Sequence, residues 1–247
     1  MTDHRPIAVF DSGLGGISVL RELLRELPGE DYLYFGDTAN APYGTKTREQ
    51  VRALTFAAVE KMLAQDPKAL VIACNTATSA AIADLRAAYP DKIIVGIEPA
   101  LKPAIEKNPT GTVGVLATPL TLREEKFQNL SANFPQVEIL SIPAPGLVEL
   151  IEAGADEKTL ESFLSPLLTP YKNKLNVMVL GCTHYPFAAR VIEKLTNAPT
   201  LDGGAGTARQ TARRLEAAGS LGDGSGKIVW HFSGGDAQIT RAKELLL

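Results

Sequence analysis

The sequence predicts an α/β fold: two similar parallel-sheet α/β domains facing each other across a cleft that would hold the active site. Three observations lead there. Short apolar runs alternate with longer amphipathic segments along the chain, the pattern of parallel strands covered by helices on both faces. The alternation restarts midway, with "IAVFDS" resembling "VGVLAT" and "LVIACNT" resembling "MVLGCTH". Thr118 stands 106 residues beyond Ser12, and Cys182 stands 108 beyond Cys74. Two elements recurring at nearly one offset suggest two similarly built halves. Finally, the only two cysteines of the 247 residues occupy matching places, each after an apolar run and before hydroxyl or amide side chains.

Each element follows from its pattern. "IAVF" reads as a strand ending at Asp11, and "GISVLRELLREL" has helical spacing. "DYLYFGD" is a second strand. "TREQVRALTFAAVEKMLAQ" is a helix with apolar residues at steps of three and four. The strand "ALVIAC" leads to the helix "ATSAAIADLRAAY", and the strand "KIIVGI" follows. The second half repeats the order: "GTVGVLAT", the helix "PLTLREEKFQNLS", "VEILSIP", the helix "EKTLESFLSPLLTPY", "NVMVLGCT" and a helix from about Pro186. "TARRLEAAGSLGDGSGK" reads as a helix and then a flexible turn, before a last strand "GKIVWHF" and a terminal helix. The domains are therefore expected at 1–98 plus 207–247 and at 99–206.

Composition narrows the function. The chain is 45% hydrophobic, enough for a sizeable core, and its net charge of −3 comes without a basic block. Nucleic acid is thus not expected as a partner. There is no signal-peptide apolar region and no apolar run near the roughly 18 residues of a membrane span, so no membrane contact and a cytoplasmic location are expected. Two Cys and three His without zinc-binding spacing predict no metal. "GLGG" is not a dinucleotide loop, because Ser18 stands where G-x-G-x-x-G needs its last glycine. Nothing near Lys46 suggests a pyridoxal phosphate cradle. No cofactor is expected, and a small-molecule substrate is.

In open α/β sheets ligands bind at the carboxyl ends of strands. Cys74, Cys182, Asp11, Ser12, Thr118 and His184 all stand there in this reading. A thiol just before a helix meets backbone N–H groups and the positive end of the dipole, which favour the thiolate. A lone buried cysteine is ordinarily a small core residue; the paired settings favour chemistry. One thiol on each face of a carbon can remove a proton from one side while the other delivers one to the opposite side. The product is the mirror image of the substrate. Ser12, Asn75, Thr76, Thr118, Thr183 and the amides at helix starts suit a substrate carboxylate. His184 could exchange protons beside Cys182, and Asp11 could modulate Cys74 or meet an ammonium. Asp11 could also merely cap the following helix.

Together "VFDSGLGG", "FGDTANAPYGTKT", "ACNTAT", "VGIEPA", "GVLATPLT" and "GCTHYP" resemble the glutamate racemases, over Ile7 to about Arg214. The resemblance implies cofactor-independent interconversion of L- and D-glutamate by two cysteines, supplying D-glutamate for bacterial peptidoglycan. By motif, Cys74 would act on D-glutamate and Cys182 on L-glutamate. Asp11, Ser12, Tyr43, Gly44, Asn75, Thr76, Thr183 and His184 would line the site. Glu152 in "LVELIEAG" resembles an acidic position near the histidine, although its simplest reading is a solvated helix residue. The resemblance also implies a homodimer. Gly203 and Asn40 depart from residues common in the family, Ser and His, with local effects expected. The short N-terminus lacks the extension of relatives needing a cell-wall-precursor activator, so such activation is not expected. The alternatives are a two-cysteine isomerase of aspartate, hydantoins or maleate, a thiol hydrolase using one cysteine with His184, and a two-lobed amino-acid-binding protein. "GCTH" joined with "APYG" favours glutamate, and a hydrolase would leave one thiol unexplained.

Overall fold

The protein, seen in a computed structural model, is described for residues 2–123, 128 and 133–247. It falls into two compact units, Met1–Glu98 with Gly204–Leu247, and Pro99–Gly203. Each is built around a wholly parallel sheet.

In the first unit the strands are β1 (Ile7–Asp11), β2 (Tyr32–Gly36), β3 (Ala69–Ile72), β4 (Ile93–Gly96) and β9 (Ile228–Phe232). They lie in the order β4-β3-β1-β2-β9. All five residues of β1 are buried, as a central strand covered on both faces requires. Helices α1 (Ile17–Glu26), α2 (Arg48–Leu63) and α3 (Asn75–Ala88) make the crossovers. Thr47 starts α2 with a reciprocal cap: its hydroxyl accepts from Gln50 N, and Gln50 Oε1 accepts from Thr47 N.

The second unit holds β5 (Thr112–Ala117), β6 (Glu138–Pro143), β7 (Val177–Leu180) and β8 (Thr200–Asp202), ordered β6-β5-β7-β8. In both sheets the unit's first strand lies between its second and third, and its fourth flanks the third. The residue offset noticed in the sequence is therefore an offset between topologically equivalent strands: Cys74 follows β3, and Cys182 follows β7. Leu116, Met178 and Leu180 on one face, and Val113, Val115 and Val179 on the other, belong to two separate apolar clusters.

Several elements differ from the sequence reading. Helix α4 (Leu101–Lys107) was not expected, because Pro103 interrupts its pattern; in a first turn, where the N–H has no intrahelical acceptor, proline is tolerated. Strand β8 is only three residues long, too short to show alternation. Helix α5 covers Pro119–Arg123, and most of the remainder of the expected helix "PLTLREEKFQNLS" lies outside the described residues. Beyond α6 (Leu147–Glu152), helix α7 (Glu157–Leu168) is capped by Asp156, whose Oδ1 accepts Thr159 N at 2.8 Å. It gives way to a 3-10 turn at Thr169–Tyr171. The helix expected from Pro186 begins as a 3-10 turn, Tyr185–Ala188, and becomes α8 at Ala189–Thr196. Helices α9 (Gly204–Ala217) and α10 (Gln238–Leu246) complete the chain, α9 lying against α1.

The turn after α9, expected to be flexible, is tied down instead. Gly224 N donates to Gly29 O at 2.6 Å. Asp31 Oδ1 accepts from Ser225 N and Lys227 N at 3.1 and 2.9 Å. Gly222 N donates to Glu30 Oε1 at 2.7 Å. Glu30 in turn pairs with Lys68 just before β3, and Lys68 Nζ donates to Asp3 O at 2.7 Å. The two charged side chains are 0% and 3% exposed. One ion pair thus joins the lead-ins of β1, β2 and β3 to the 218–227 segment. Lys68→Ala would leave Glu30 charged and buried, so a loss of about 3–5 kcal/mol is expected in urea unfolding. Replacing the pair together, Lys68→Met with Glu30→Leu, should recover most of that loss, short of the cost of the Gly222 N–H left without its acceptor.

Candidate active site

In the first unit the candidate residues come from β1, β2 and β3 and the segments that follow them. Pairing of β1 with β3 sets Phe10 opposite Ile72, and Ala73 N donates to Phe10 O at 2.7 Å. Asp11–Ser12 and Cys74 are therefore neighbours across the sheet. Asp11 is fully buried, and its Oδ1 accepts Gly13 N at 2.8 Å, turning the chain sharply. Gly16 closes that turn. A Cβ there would lie 2.5 Å from Asp11 Cβ, closer than carbon atoms pack.

Ser12 Oγ lies 3.4 Å from Cys74 Sγ. Cys74 is itself the N-cap of α3, with its sulfur accepting Ala77 N at 3.4 Å. A hydroxyl, a backbone N–H and a helix start around one sulfur all favour the thiolate. Asn75 and Thr76 open α3, each 4% exposed. Asn75 Oδ1 is buried with no hydrogen-bond partner among the described residues. A buried amide oxygen without a donor is costly, and a bound donor such as an ammonium would supply one.

Tyr43 and Gly44 are buried in a 3-10 turn. Tyr43 donates its hydroxyl to Asp37 Oδ2 at 2.6 Å. Burial, and then the hydrogen bond to Asp37, push the Tyr43 pKa far up, so the phenol stays a donor. Asn40 Nδ2 donates to both Asp37 oxygens at 3.0 and 3.1 Å. The departure at Asn40 thus acts on the carboxylate that holds Tyr43. Asp37, 4% exposed, was not singled out in the sequence; its signal is its place at a strand end, as with Asp11.

The second unit repeats the arrangement with different groups. Thr118 follows β5 and caps α5, accepting Thr121 N at 3.3 Å with the two threonine hydroxyls 2.9 Å apart. Gly181 separates β7 from Cys182, and a Cβ there would come within 2.7 Å of Ala117 Cβ. Glycine lets the thiol segment lie against the end of β5. Cys182 Sγ lies 3.8 Å from His184 Nδ1, and His184 Nε2 lies 2.8 Å from Glu152 Oε1. Glu152 is the last residue of α6 and its side chain is 25% exposed. Its reading as a solvated residue is corrected: the carboxylate is committed to His184. Glu152 thus holds the ring by Nε2 and leaves Nδ1 facing Cys182. Thr183 is buried between them in sequence. Tyr185, also not singled out, donates its hydroxyl to Ala144 O at 3.1 Å and so braces the chain leading into α6. Gly203 is buried between β8 and α9.

Among the described residues, no group of three or more His, Cys, Asp or Glu could hold a metal ion. Among them, too, no helix is long and apolar enough to cross a membrane.

The pattern of the Asp/Glu/Hydantoin racemase family matches residues 7–211. The chain belongs to this family. It is an enzyme of the racemase class. A relative within the family, the glutamate racemase of Clostridium kluyveri, is 53% identical over 219 residues, 87% of this chain and 85% of its own. Among solved structures, glutamate racemase isoform RacE1 from Bacillus anthracis superposes with a TM-score of 0.88 at 30% identity, covering 98% of this chain and 93% of its own. The Francisella tularensis glutamate racemase, crystallised in complex with D-glutamate, superposes with a TM-score of 0.85 at 27% identity, covering 99% of this chain and 94% of its own.

Two glycines separate backbone need from mere tolerance. Gly16→Ala is expected to destabilise by about 1–3 kcal/mol through the clash with Asp11. In α9, a Cβ on Gly206 meets nothing within 4 Å, so Gly206→Ala should be neutral or stabilise by about 0.5 kcal/mol. Thermal unfolding of the two variants measures both.

Proposed function

We propose that the chain interconverts L- and D-glutamate without a cofactor, with Cys74 and Cys182 each acting on one face of Cα. The observation that carries this is the recurrence of a buried thiol at the same junction of two sheets, with a hydroxyl and a backbone N–H beside Cys74 and an imidazole beside Cys182. The names of the relatives support glutamate as the substrate, as does the D-glutamate held by the Francisella tularensis enzyme.

In this mechanism one thiolate takes the α-proton and becomes a thiol, while the opposite thiol gives its proton to the other face and becomes a thiolate. Cys74 takes the proton of D-glutamate and Cys182 that of L-glutamate, following the family motif. Negative charge developing on the substrate carboxylate meets neutral donors: Ser12, Thr76, Thr118, Thr183, the Asn75 amide and the N–H groups at helix starts. The Asn75 oxygen and Asp11 suit the substrate ammonium. His184, oriented by Glu152, serves the Cys182 side. Tyr43 and Gly44 form wall rather than machinery. The family resemblance supports a homodimer, a cytoplasmic location and a role in supplying D-glutamate for the cell wall.

Incubated with L-glutamate and no added cofactor, the protein should drive the circular dichroism signal to zero. In D2O the product should carry deuterium at Cα, whereas a hydrolase would cleave a bond and a binding protein would change nothing. Equal or faster turnover of aspartate would overturn the substrate assignment.

Serine is a far weaker acid than cysteine, so Cys74→Ser and Cys182→Ser should each lower racemisation by about 10²–10⁴-fold while binding largely persists. With a β-leaving-group analogue, the variant retaining Cys182 should eliminate from the L-isomer, and the variant retaining Cys74 from the D-isomer. Equal elimination from both isomers by either variant would overturn the assignment of one thiol to each face.

A further inference from the structure

The loop that carries Ser12 has a support outside the substrate-facing groups. Tyr34, in the middle of β2, is fully buried and donates its hydroxyl to Gly13 O at 2.9 Å. The carbonyl sits in a slot made for it: a Cβ on Gly36 would come within 2.7 Å of the same Gly13 O. The Tyr34 ring is fixed from the far side. It pairs in register with Trp230 on β9, and ring centroids lie 5.4 Å away for Trp230 and 5.7 Å for Phe232. A Cβ on Gly16 would approach the Tyr34 hydroxyl to 3.0 Å. The loop therefore wraps closely over this one phenol.

We infer that Tyr34 is a positioning residue for Cys74, acting through the Gly13 carbonyl and Ser12. The inference rests on the two-thiol reading for its effect on turnover, but its link to the Cys74 sulfur stands on geometry alone. The backbone held at Gly13 is bonded to the residue whose Oγ is 3.4 Å from Cys74 Sγ. Without the phenol, a buried carbonyl loses its donor and the loop has reason to shift. Ser12 then moves away from the sulfur, and the thiolate loses a stabilising hydroxyl. Tyr34 touches neither substrate nor thiol in this role, and β9 takes part by holding the ring.

The test uses Tyr34→Phe, which keeps the ring packing and removes only the hydroxyl. In a Cys182→Ser background Cys74 is the one thiol, and its alkylation by iodoacetamide is followed against pH. The midpoint of the profile should rise by about half to one pH unit, which is about three- to tenfold less reaction at neutral pH. In a Cys74→Ser background, alkylation of Cys182 should be unmoved by Y34F. Adding Y34F to Ser12→Ala should cause no further change at Cys74, since the route passes through Ser12.

In racemisation, the equilibrium constant of one obliges kcat/KM to fall equally in both directions. The α-deuterium isotope effect should nevertheless rise for D-glutamate, where Cys74 removes the proton, more than for L-glutamate. An unchanged Cys74 profile in folded Y34F, or an effect additive with Ser12→Ala, would overturn the inference. A shifted Cys74 profile, together with failure of the protein carrying both cysteines to racemise glutamate, would uphold the inference and overturn the proposed function instead. Where Y34F does not fold, Trp230→Leu frees the ring while leaving the hydroxyl and should shift the profile in the same direction; no shift would again overturn the inference.

Discussion

Parallel pairing of each unit's first strand with its third is the constraint on which the site geometry depends. Parallel neighbours end on the same side of a sheet, and both central strands end beside a helix start. With Phe10 opposite Ile72, the next residues on each strand cannot avoid each other. The same holds for β5 and β7, where Gly181 lets the chain close onto Ala117. A cysteine placed just past the third strand then meets N–H groups, a helix end and whatever the first strand or a neighbouring helix presents.

What surrounds each sulfur differs. Cys74 has a serine hydroxyl and a backbone N–H as neighbours; Cys182 has an imidazole backed by a carboxylate. A hydroxyl stabilises an anion without exchanging charge, whereas an imidazole can take or return a proton. Two thiols in equivalent places thus have unequal surroundings.

The strands and the long helices were legible because periodicity reports burial. "IAVF" in β1 and "ALVI" in β3 are continuous apolar runs, and α2 shows apolar residues at steps of three and four. Short or interrupted elements were not: three residues of β8 carry no period, and Pro103 disguises α4. The segment after α9 looked flexible because glycine, serine and aspartate are turn formers. What fixes it is a set of contacts with Glu30 and Asp31, nearly two hundred residues earlier, which no local pattern contains. The residues next to the thiols were readable from motif and strand-end position. Their supports were not. Tyr34 and Tyr185 look like ordinary core aromatics, and Asp37 like a loop residue, until the structure shows which oxygen each hydroxyl or carboxylate meets.

The first unit is assembled from two separated lengths of chain, while the second is one continuous length. On the ribosome the order is fixed: residues 99–203 emerge as a whole before α9 and β9 exist. The second unit can bury its own core at that moment, since all four of its strands are present. The first has β1 to β4 but lacks the aromatic pair on β9 that packs against Tyr34, and it lacks the Gly222 amide that meets Glu30. Its strands wait, with Tyr34 uncovered, until roughly the last forty residues described here have been made. The thiol that sequence order presents first is therefore the one whose surroundings are finished last.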